Sequence, residues 1–123
     1  MRYPEYLEKK FNFPGFYRVK LTLPSMALPD PAGDLKTQLA QALDQSAIEP
    51  GQTVAVGVGS RGINKIAELV TQICRSIKEK RAHPVIIPAM GSHGSATPEG
   101  QEKTLAKLGV TSNVCQAMIA SQM

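Results

Sequence analysis

The feature that most limits what this chain can fold into is a strand, helix and strand pattern between residues 53 and 88. Two runs, TVAVGV at 53–58 and PVIIP at 84–88, are apolar and show no polar alternation, as is typical of parallel strands that are buried on both faces. Between them, apolar residues at helical spacing predict a long amphipathic helix that ends near Lys80: Ile63, Ile66, Ala67, Val70, Ile73, Cys74 and Ile77. The pattern predicts an α/β fold, a Rossmann-like parallel sheet with helices on its faces.

Four further elements are predicted outside this unit. Residues 16–23 alternate apolar and polar side chains, which favours a strand. A helix is expected from Asp34, as its capping residue, to about Ser46. Another helix is expected between Thr97-Pro98-Glu99, a capping residue followed by proline and an acid, and Gly109. A short last strand is predicted at 117–120.

The composition limits the class of protein. The 123 residues suit one domain, with an extended arm over 1–15 and a sheet-and-helix core over 16–123. Hydrophobic residues make up 42% and charged residues 20%, and no apolar run approaches the roughly 20 residues that span a bilayer. The N-terminus offers no apolar stretch of the kind that a signal peptide needs. We therefore expect a cytoplasmic protein that has no membrane partner.

The charge pattern argues against a nucleic-acid partner, and the cysteine content predicts a buried free thiol. The net charge is +4, but the basic cluster at 78–81 closes a helix, and the chain has no Trp and only three Tyr and three Phe to stack on bases. Nucleic-acid binding is therefore not expected. Cys74 and Cys115 form no CxxC pair, and a buried free thiol is the expected state of Cys74.

The stretch GVGSRG at 57–62 matches the G-x-G-x-x-G turn of dinucleotide-binding folds. Such a site needs an acid at the end of the second strand, but that strand ends in PAMGSH, which contains none. Ser60 is expected to cap the next helix, and Arg61, at its first turn, to hold a small anion together with the helix N–H groups. Gly57 and Gly59 would let a cofactor approach the backbone, although tight turns alone also require glycine.

A second loop, MGSHG at 90–94, follows the neighbouring strand. Ligands of parallel sheets bind beyond the carboxyl ends of the strands, so the two loops are expected to meet there. His93 can exchange a proton near neutral pH, Arg61 can clamp a carboxylate, and Ser92 adds a hydroxyl. Gly91 and Gly94 allow close approach of a cofactor. These residues predict half of a site for a small anionic substrate that must lose a proton, with His93 as the catalytic group.

The strings VAVGVGSRGINKIAELV and VIIPAMGSHGSATPEGQEKTLAKLGVT resemble the N-terminal domain of the nickel-pincer lactate racemase family. They are most similar to the uncharacterised branch that carries the MGSHG-ATPEGQ loop. The resemblance implies racemisation of a 2-hydroxy acid by hydride transfer to a nickel-pincer nucleotide. It implies that His93 takes the hydroxyl proton, that Arg61 faces the substrate and that Ser60 keeps the hydroxyl of a family threonine. Val58 stands where the racemase has an aspartate.

The family's second histidine, its nickel-ligand histidine and its cofactor-linking lysine have no match in these 123 residues. No metal ligand is therefore predicted here, and the chain is expected to be the N-terminal part of a longer protein. Its partners would be a C-terminal domain of the same protein or a partner chain, and a homo-oligomer is left open. The alternative hypothesis is a non-catalytic α/β module that binds a phosphate, a carboxylate or a nucleotide.

Overall fold

A computed structural model describes residues 15–24 and 27–121 of the chain. The residues before Gly15, which include most of the predicted arm over 1–15, lie outside the described ranges. In chain order the elements are α1 (Pro31–Asp44), β1 (Thr53–Val58), α2 (Ile66–Glu79), β2 (His83–Pro88), a 3-10 turn (His93–Ala96), α3 (Pro98–Lys107), α4 (Ser112–Cys115) and β3 (Met118–Ile119).

The three strands form one parallel sheet in the order β1-β2-β3. Val56 of β1 is paired with Ile86 of β2, and Ile86 in turn with Ile119 of β3. Each strand is connected to the next through a helix, because parallel neighbours need a crossover. The predicted α/β class and the strands at 53–58 and 84–88 are confirmed, and the expected last strand is present as the two residues of β3.

The sheet is covered on one face only within the described residues, and here the prediction of strands buried on both faces is wrong. Val56, Val58 and Ile86 point toward the helices and are at most 8% exposed. On the opposite face, Ile87 is 41% exposed and Met118 63%. The strands follow one another in spatial order, so right-handed crossovers bring every helix to the same side of the sheet.

The core lies between that covered face and helices α2 and α3. Val70 and Ile77 of α2 and Leu105 of α3 are almost fully buried there. Cys74 and Cys115 are buried free thiols, as was predicted for Cys74. Burial, reinforced by the nearby Cys115, raises the pKa of the Cys74 thiol from 9.0 to about 11. Among the helices of the described ranges, none combines the length and the apolar character needed to cross a bilayer.

The ends of the helices agree only in part with those predicted from the sequence. Thr97 caps α3 as predicted, its hydroxyl accepting from the N–H of Gly100 at 3.1 Å. For α1 the cap is Asp30, which accepts from Gly33 at 3.1 Å, and the prediction of Asp34 is wrong by one turn. Pro31 lacks an N–H and has the backbone angle of a first helical residue, so the helix starts there.

The start of α2 also differs from the prediction. The helix begins at Ile66, and Lys65 before it is left-handed with φ 57° and gives no side-chain cap. Gly62 is left-handed as well, with φ 75°, and such residues interrupt a right-handed helix. Ser60 therefore does not cap α2, and Arg61 lies five residues before the helix rather than in its first turn.

The strand predicted over residues 16–23 is not present in the structure. These residues adopt no regular secondary structure, and Phe16 is 91% and Leu21 76% exposed. The alternation of the side chains is that of a strand, but a strand also needs a neighbour for its backbone hydrogen bonds, and this segment pairs with none of the described strands.

Candidate functional site

Two loops meet at the carboxyl end of the sheet. The register of β1 and β2 runs to the pair Val58 and Pro88, and the N–H of Ala89 then donates to the carbonyl of Val58 at 2.8 Å. Residues 59–65 follow β1 and are called the Arg61 loop here, and residues 89–97 follow β2 and are called the His93 loop. Because their strands are adjacent and parallel, the loops start side by side, as the sequence predicted.

The His93 loop is fastened to helix α3. The side-chain amide of Gln101, which is only 4% exposed, donates to the carbonyl of Gly91 at 2.9 Å. Gly94 packs against the backbone of Gly100 so closely that a Cβ on Gly94 would overlap it. Gly94 is also left-handed, with φ 64°, so glycine is required at this position by both packing and backbone geometry.

The same loop carries backbone strain immediately after Gly94. Ser95 and Ala96 have φ of 60° and 53°, a left-handed conformation that costs free energy in residues with a Cβ. The N–H of Thr97 closes the turn by donating to the carbonyl of Gly94 at 3.2 Å. The strained turn brings the chain to the start of α3 five residues after His93 and so helps to position His93.

The Arg61 loop is held much less firmly. Residues 61–65 are exposed. Apart from the carbonyl of Lys65, which accepts from the N–H of Leu69 in the first turn of α2 at 3.1 Å, the hydrogen bonds that tie this loop to the rest of the described chain are those of Ser60 and Arg61 with His93. Lys65 and Glu68 form an exposed ion pair at 3.6 Å, which contributes little to stability. The position of the Arg61 loop therefore depends on its contact with His93.

His93 is bonded through both ring nitrogens. Its Nδ1 pairs with the hydroxyl of Ser60, and its Nε2 accepts from the Nε–H of Arg61 at 3.1 Å, with a second guanidinium nitrogen of Arg61 close by. A guanidinium can only donate, so Nε2 must present its lone pair. The ring proton is then on Nδ1, from where it is donated to the oxygen of Ser60.

This tautomer decides what the cluster can do. The hydroxyl of Ser60 accepts a hydrogen bond from His93, so His93 does not draw the proton from Ser60 and does not activate it as a nucleophile. Ser60 instead orients the imidazole and fixes its tautomer. The lone pair on Nε2 is the proton acceptor of the ring, and in this structure the cationic Arg61 donates to it.

The charge of Arg61 is available to an anion. Among residues 15–24 and 27–121 the ion pairs are Lys65 with Glu68 and Lys80 with Asp44, and no carboxylate forms an ion pair with Arg61. Arg61 is exposed and His93 half-buried, so a small ligand can reach the guanidinium from solvent. A planar guanidinium binds a carboxylate through two parallel hydrogen bonds.

The remaining predicted site residues divide into two groups. Gly57 and Gly59 do not have positive φ, and a Cβ on either would make only ordinary contacts, 3.6 Å and 3.9 Å from Ala89. The fold does not require glycine at these two positions, which leaves an unobstructed backbone at the end of β1. Gly91 is left-handed with φ 58°, and Ser92 is exposed and makes no capping hydrogen bond.

Sequence reasoning missed Gln101 as a residue of this region. It is buried and holds the carbonyl of Gly91, and so supports the loop that carries His93. Its position, four residues after the capping Thr97, places it one helical turn into α3, on the side that returns toward the loop. The signal that could have identified it was its spacing: Gln101 stands four residues before Leu105 and seven before Leu108, so it shares their apolar stripe, where a polar side chain needs a hydrogen-bond partner.

Metal-binding side chains do not cluster within the described ranges. Within residues 15–24 and 27–121, no three side chains of His, Cys, Asp or Glu come together. Both nitrogens of His93 are bonded to other side chains, and Cys74 and Cys115 are buried in the core. His93 and the two cysteines are thus engaged in other contacts within the described residues.

A comparison with models of known protein families gave no match for this chain, and neither did comparisons with curated proteins and with solved structures. What can be inferred about function therefore depends on the cluster of Ser60, Arg61 and His93 and on the resemblance of its two loops.

Proposed function

We propose that this chain binds the carboxylate of a 2-hydroxy acid at Arg61 and accepts its hydroxyl proton at His93, as a domain of a racemase or epimerase resembling the nickel-pincer lactate racemases. One observation carries this proposal. The guanidinium of Arg61 and the imidazole of His93 are in direct contact, with Nε of Arg61 3.1 Å from Nε2 of His93. A group that binds carboxylates thus stands next to a group that can take a proton.

The contact also indicates an order of events. Without a ligand, Arg61 donates to the Nε2 lone pair of His93 and occupies it. A carboxylate is the stronger acceptor for a guanidinium, so its arrival would draw Arg61 away and free Nε2. In a 2-hydroxy acid the hydroxyl is one carbon from the carboxylate, and it would then lie within reach of Nε2. Ser60 would keep the ring in the tautomer that this step requires.

Oxidation of the hydroxy acid to a keto acid removes a hydride from C2 in addition to the proton. By the resemblance, the hydride acceptor is the nickel-pincer nucleotide. The described residues hold no cluster of three potential metal ligands, so what we propose for this chain concerns the carboxylate and the hydroxyl proton. The unobstructed backbone at Gly57 and Gly59 is where we expect a cofactor to approach.

The alternative of a phosphate-binding module finds less support. Such a site would use the first N–H groups of α2 together with Arg61, but α2 begins five residues after Arg61 and is preceded by the left-handed Lys65.

Titration of the chain with D-lactate and with L-lactate, followed by NMR, tests the binding step. Both enantiomers should shift the amide signals of the Arg61 loop and of the His93 loop. Arg61→Lys should weaken binding by about tenfold, because an ammonium cannot reproduce the two-pronged contact. Arg75→Lys, at an exposed position on α2, is the matched control and should bind as the wild type does. Equal affinity of the Arg61→Lys and wild-type chains would refute the assignment of Arg61.

Racemisation of lactate by the natural gene product tests the proton step. His93→Gln keeps a hydrogen-bonding side chain but cannot take the proton, so turnover should fall by roughly a hundred- to ten-thousand-fold. His83→Gln changes the chain's other histidine, which is exposed on β2, and should leave turnover unchanged. Near-normal turnover in the His93→Gln enzyme would show that His93 is not the base.

A further inference from the structure

The outer edge of β1 is a free sheet edge. Within the described residues β1 pairs only with β2, so half of its backbone groups face away from the sheet without a strand beside them. Such edges are normally covered or paired, because they readily bind other strands.

An apolar pocket of ≈ 230 Å³ lies along this edge. It is formed by β1, by the underside of α2 and by one residue of α1, and its lining includes Leu35, Val56, Val58, Ile66, Val70 and Ile73. No residue of β2 lines the pocket, so it opens on the outer side of β1. Gly59 and Ile63 of the Arg61 loop also line it, which connects the pocket to the candidate site.

Residues 16–23 offer a side-chain pattern that fits this edge. Every second residue is large and mainly apolar, and all four are more than two-thirds exposed: Tyr17 90%, Val19 79%, Leu21 76% and Leu23 72%. The residues between them are Arg18, Lys20 and Thr22. As a strand, the segment would have one apolar and one polar face.

The course of α1 sets the direction of such a strand. Ala32, in the first turn of α1, lines a pocket together with Ala67 and Glu68 in the first turn of α2, and α2 begins on the side of the carboxyl end of β1. Asp44, at the end of α1, is paired with Lys80 at the end of α2, near the start of β2. Helix α1 therefore runs antiparallel to β1, as a crossover helix does, and it packs on α2 on the covered side of the sheet. A strand that precedes α1 would run parallel to β1.

The chain length allows this connection. Residues 24–30 join the segment to Pro31 at the start of α1, and seven residues can span up to about 23 Å. That reach is several times the spacing of about 4.8 Å between neighbouring strands.

In this structure the segment at residues 16–23 is exposed and pairs with none of the described strands, and we propose that it docks onto the free edge of β1 in a second arrangement, as a fourth parallel strand. Leu21 and Leu23, which come last in a strand parallel to β1, then enter the apolar pocket beside Val56 and Val58. Tyr17 and Val19 continue the same apolar face toward the start of β1, and Arg18, Lys20 and Thr22 lie on the face that the helices leave open. The occupant of the pocket is this chain's own segment. Docking closes the pocket behind Gly59 and Ile63 and so supports the Arg61 loop from its apolar side.

Amide hydrogen exchange of the full chain, followed by NMR, tests this docking. In a parallel edge strand every second amide donates to its neighbour, so alternate amides of residues 16–23 should exchange at least about tenfold more slowly than an unstructured chain. Leu21→Asp should abolish this protection, because it buries a charge in the pocket. Thr22→Asp adds the same charge on the open face and should retain it.

Exchange at unstructured rates throughout residues 16–23 of the wild-type chain would overturn the proposal. Equal protection in the Leu21→Asp and Thr22→Asp variants would overturn the assignment of the faces. Protection that appears only at concentrations where light scattering detects a dimer would show that the pocket takes the segment of a second copy instead.

Discussion

The His93 loop and the Arg61 loop leave neighbouring strands of one sheet, yet the structure holds them in different ways. The His93 loop is tied to α3 by the buried Gln101 and by the packing of Gly94 on Gly100. The Arg61 loop is exposed from residue 61 to residue 65, and its hydrogen bonds to the His93 loop are those with the side chain of His93. His93, the proposed proton acceptor, is thus held in place by the fold. Arg61, the proposed carboxylate-binding residue, can move with its ligand.

This difference fits the two tasks. Proton transfer depends on a base that is positioned to within tenths of an ångström, so a rigid support for His93 is useful. In the proposed function Arg61 exchanges its contact with Nε2 for one with an incoming carboxylate, and a long exposed side chain on a weakly held loop can do so at low cost. The following substitutions test the contrast, beginning with the largest expected effect.

Gly94→Ala should destabilise the protein most. The added methyl group overlaps the backbone of Gly100, and alanine disfavours φ of 64°, so we expect a loss of about 3 kcal/mol or more in the free energy of unfolding. Gly57→Ala is the control at the end of β1, where a Cβ finds space, and should stay within about 0.5 kcal/mol. Urea denaturation measures the free energy of unfolding of both variants. Similar losses in the two would show that the His93 loop is packed no more tightly than the end of β1.

Gln101→Leu should come next. Leucine has a similar size but cannot donate to the carbonyl of Gly91, and we expect a loss of about 1–2 kcal/mol. Glu102→Gln, at the exposed neighbouring position of α3, should be neutral to about 0.5 kcal/mol. The same denaturation curves give the answer, and an unchanged stability of the Gln101→Leu protein would mean that Gln101 does not fasten the His93 loop.

Ala96→Gly should stabilise the chain, because glycine removes the strain at φ of 53°. The expected gain is about 0.5–1 kcal/mol, reduced by the greater freedom of glycine in the unfolded chain. Ala106→Gly makes the same substitution inside α3 at an exposed position and should lose about 1 kcal/mol. A melting-temperature comparison shows the sign, and two losses of equal size would argue against strain in the His93 loop.

Arg61→Ala should have the smallest effect on stability. Its side chain is exposed and its only contact across the loops is with His93, so the free energy of unfolding should change by less than about 0.5 kcal/mol. The affinity for lactate should nevertheless be lost. If calorimetry instead gives a loss of stability comparable to that of Gln101→Leu, the Arg61 loop is a structural element and the two loops are alike.

The sheet, its parallel order and the meeting of the two loops could be predicted from the sequence. Apolar runs and a helical stripe are local signals, and parallel neighbours bring their carboxyl ends together without further information. The cap at Thr97 is equally local. The pairing of residues as distant as Arg61 and His93 followed from this topology, and the structure brings the two side chains into contact.

The start of α2 and the role of Ser60 could not be predicted in the same way. A serine before an apolar stripe has the pattern of a cap, and only the left-handed Gly62 and Lys65 show that the helix starts later. Which face of the sheet is covered could not be predicted either, because an apolar strand indicates burial but does not show which element packs on it. Residues 16–23 carry the alternation of a strand, but such a local pattern does not show whether a neighbouring strand is there to pair with them.

The tautomer of His93 is the most direct test of the site. Two-bond proton–nitrogen NMR spectra of the imidazole identify the ring nitrogen that carries the proton. Our account predicts a neutral ring with the proton on Nδ1 in the free chain, and a lone pair on Nε2 that loses the contact of Arg61 when lactate binds. A proton on Nε2 of the free chain would contradict it, since Arg61 could then not donate to that nitrogen and His93 would not be poised as the base.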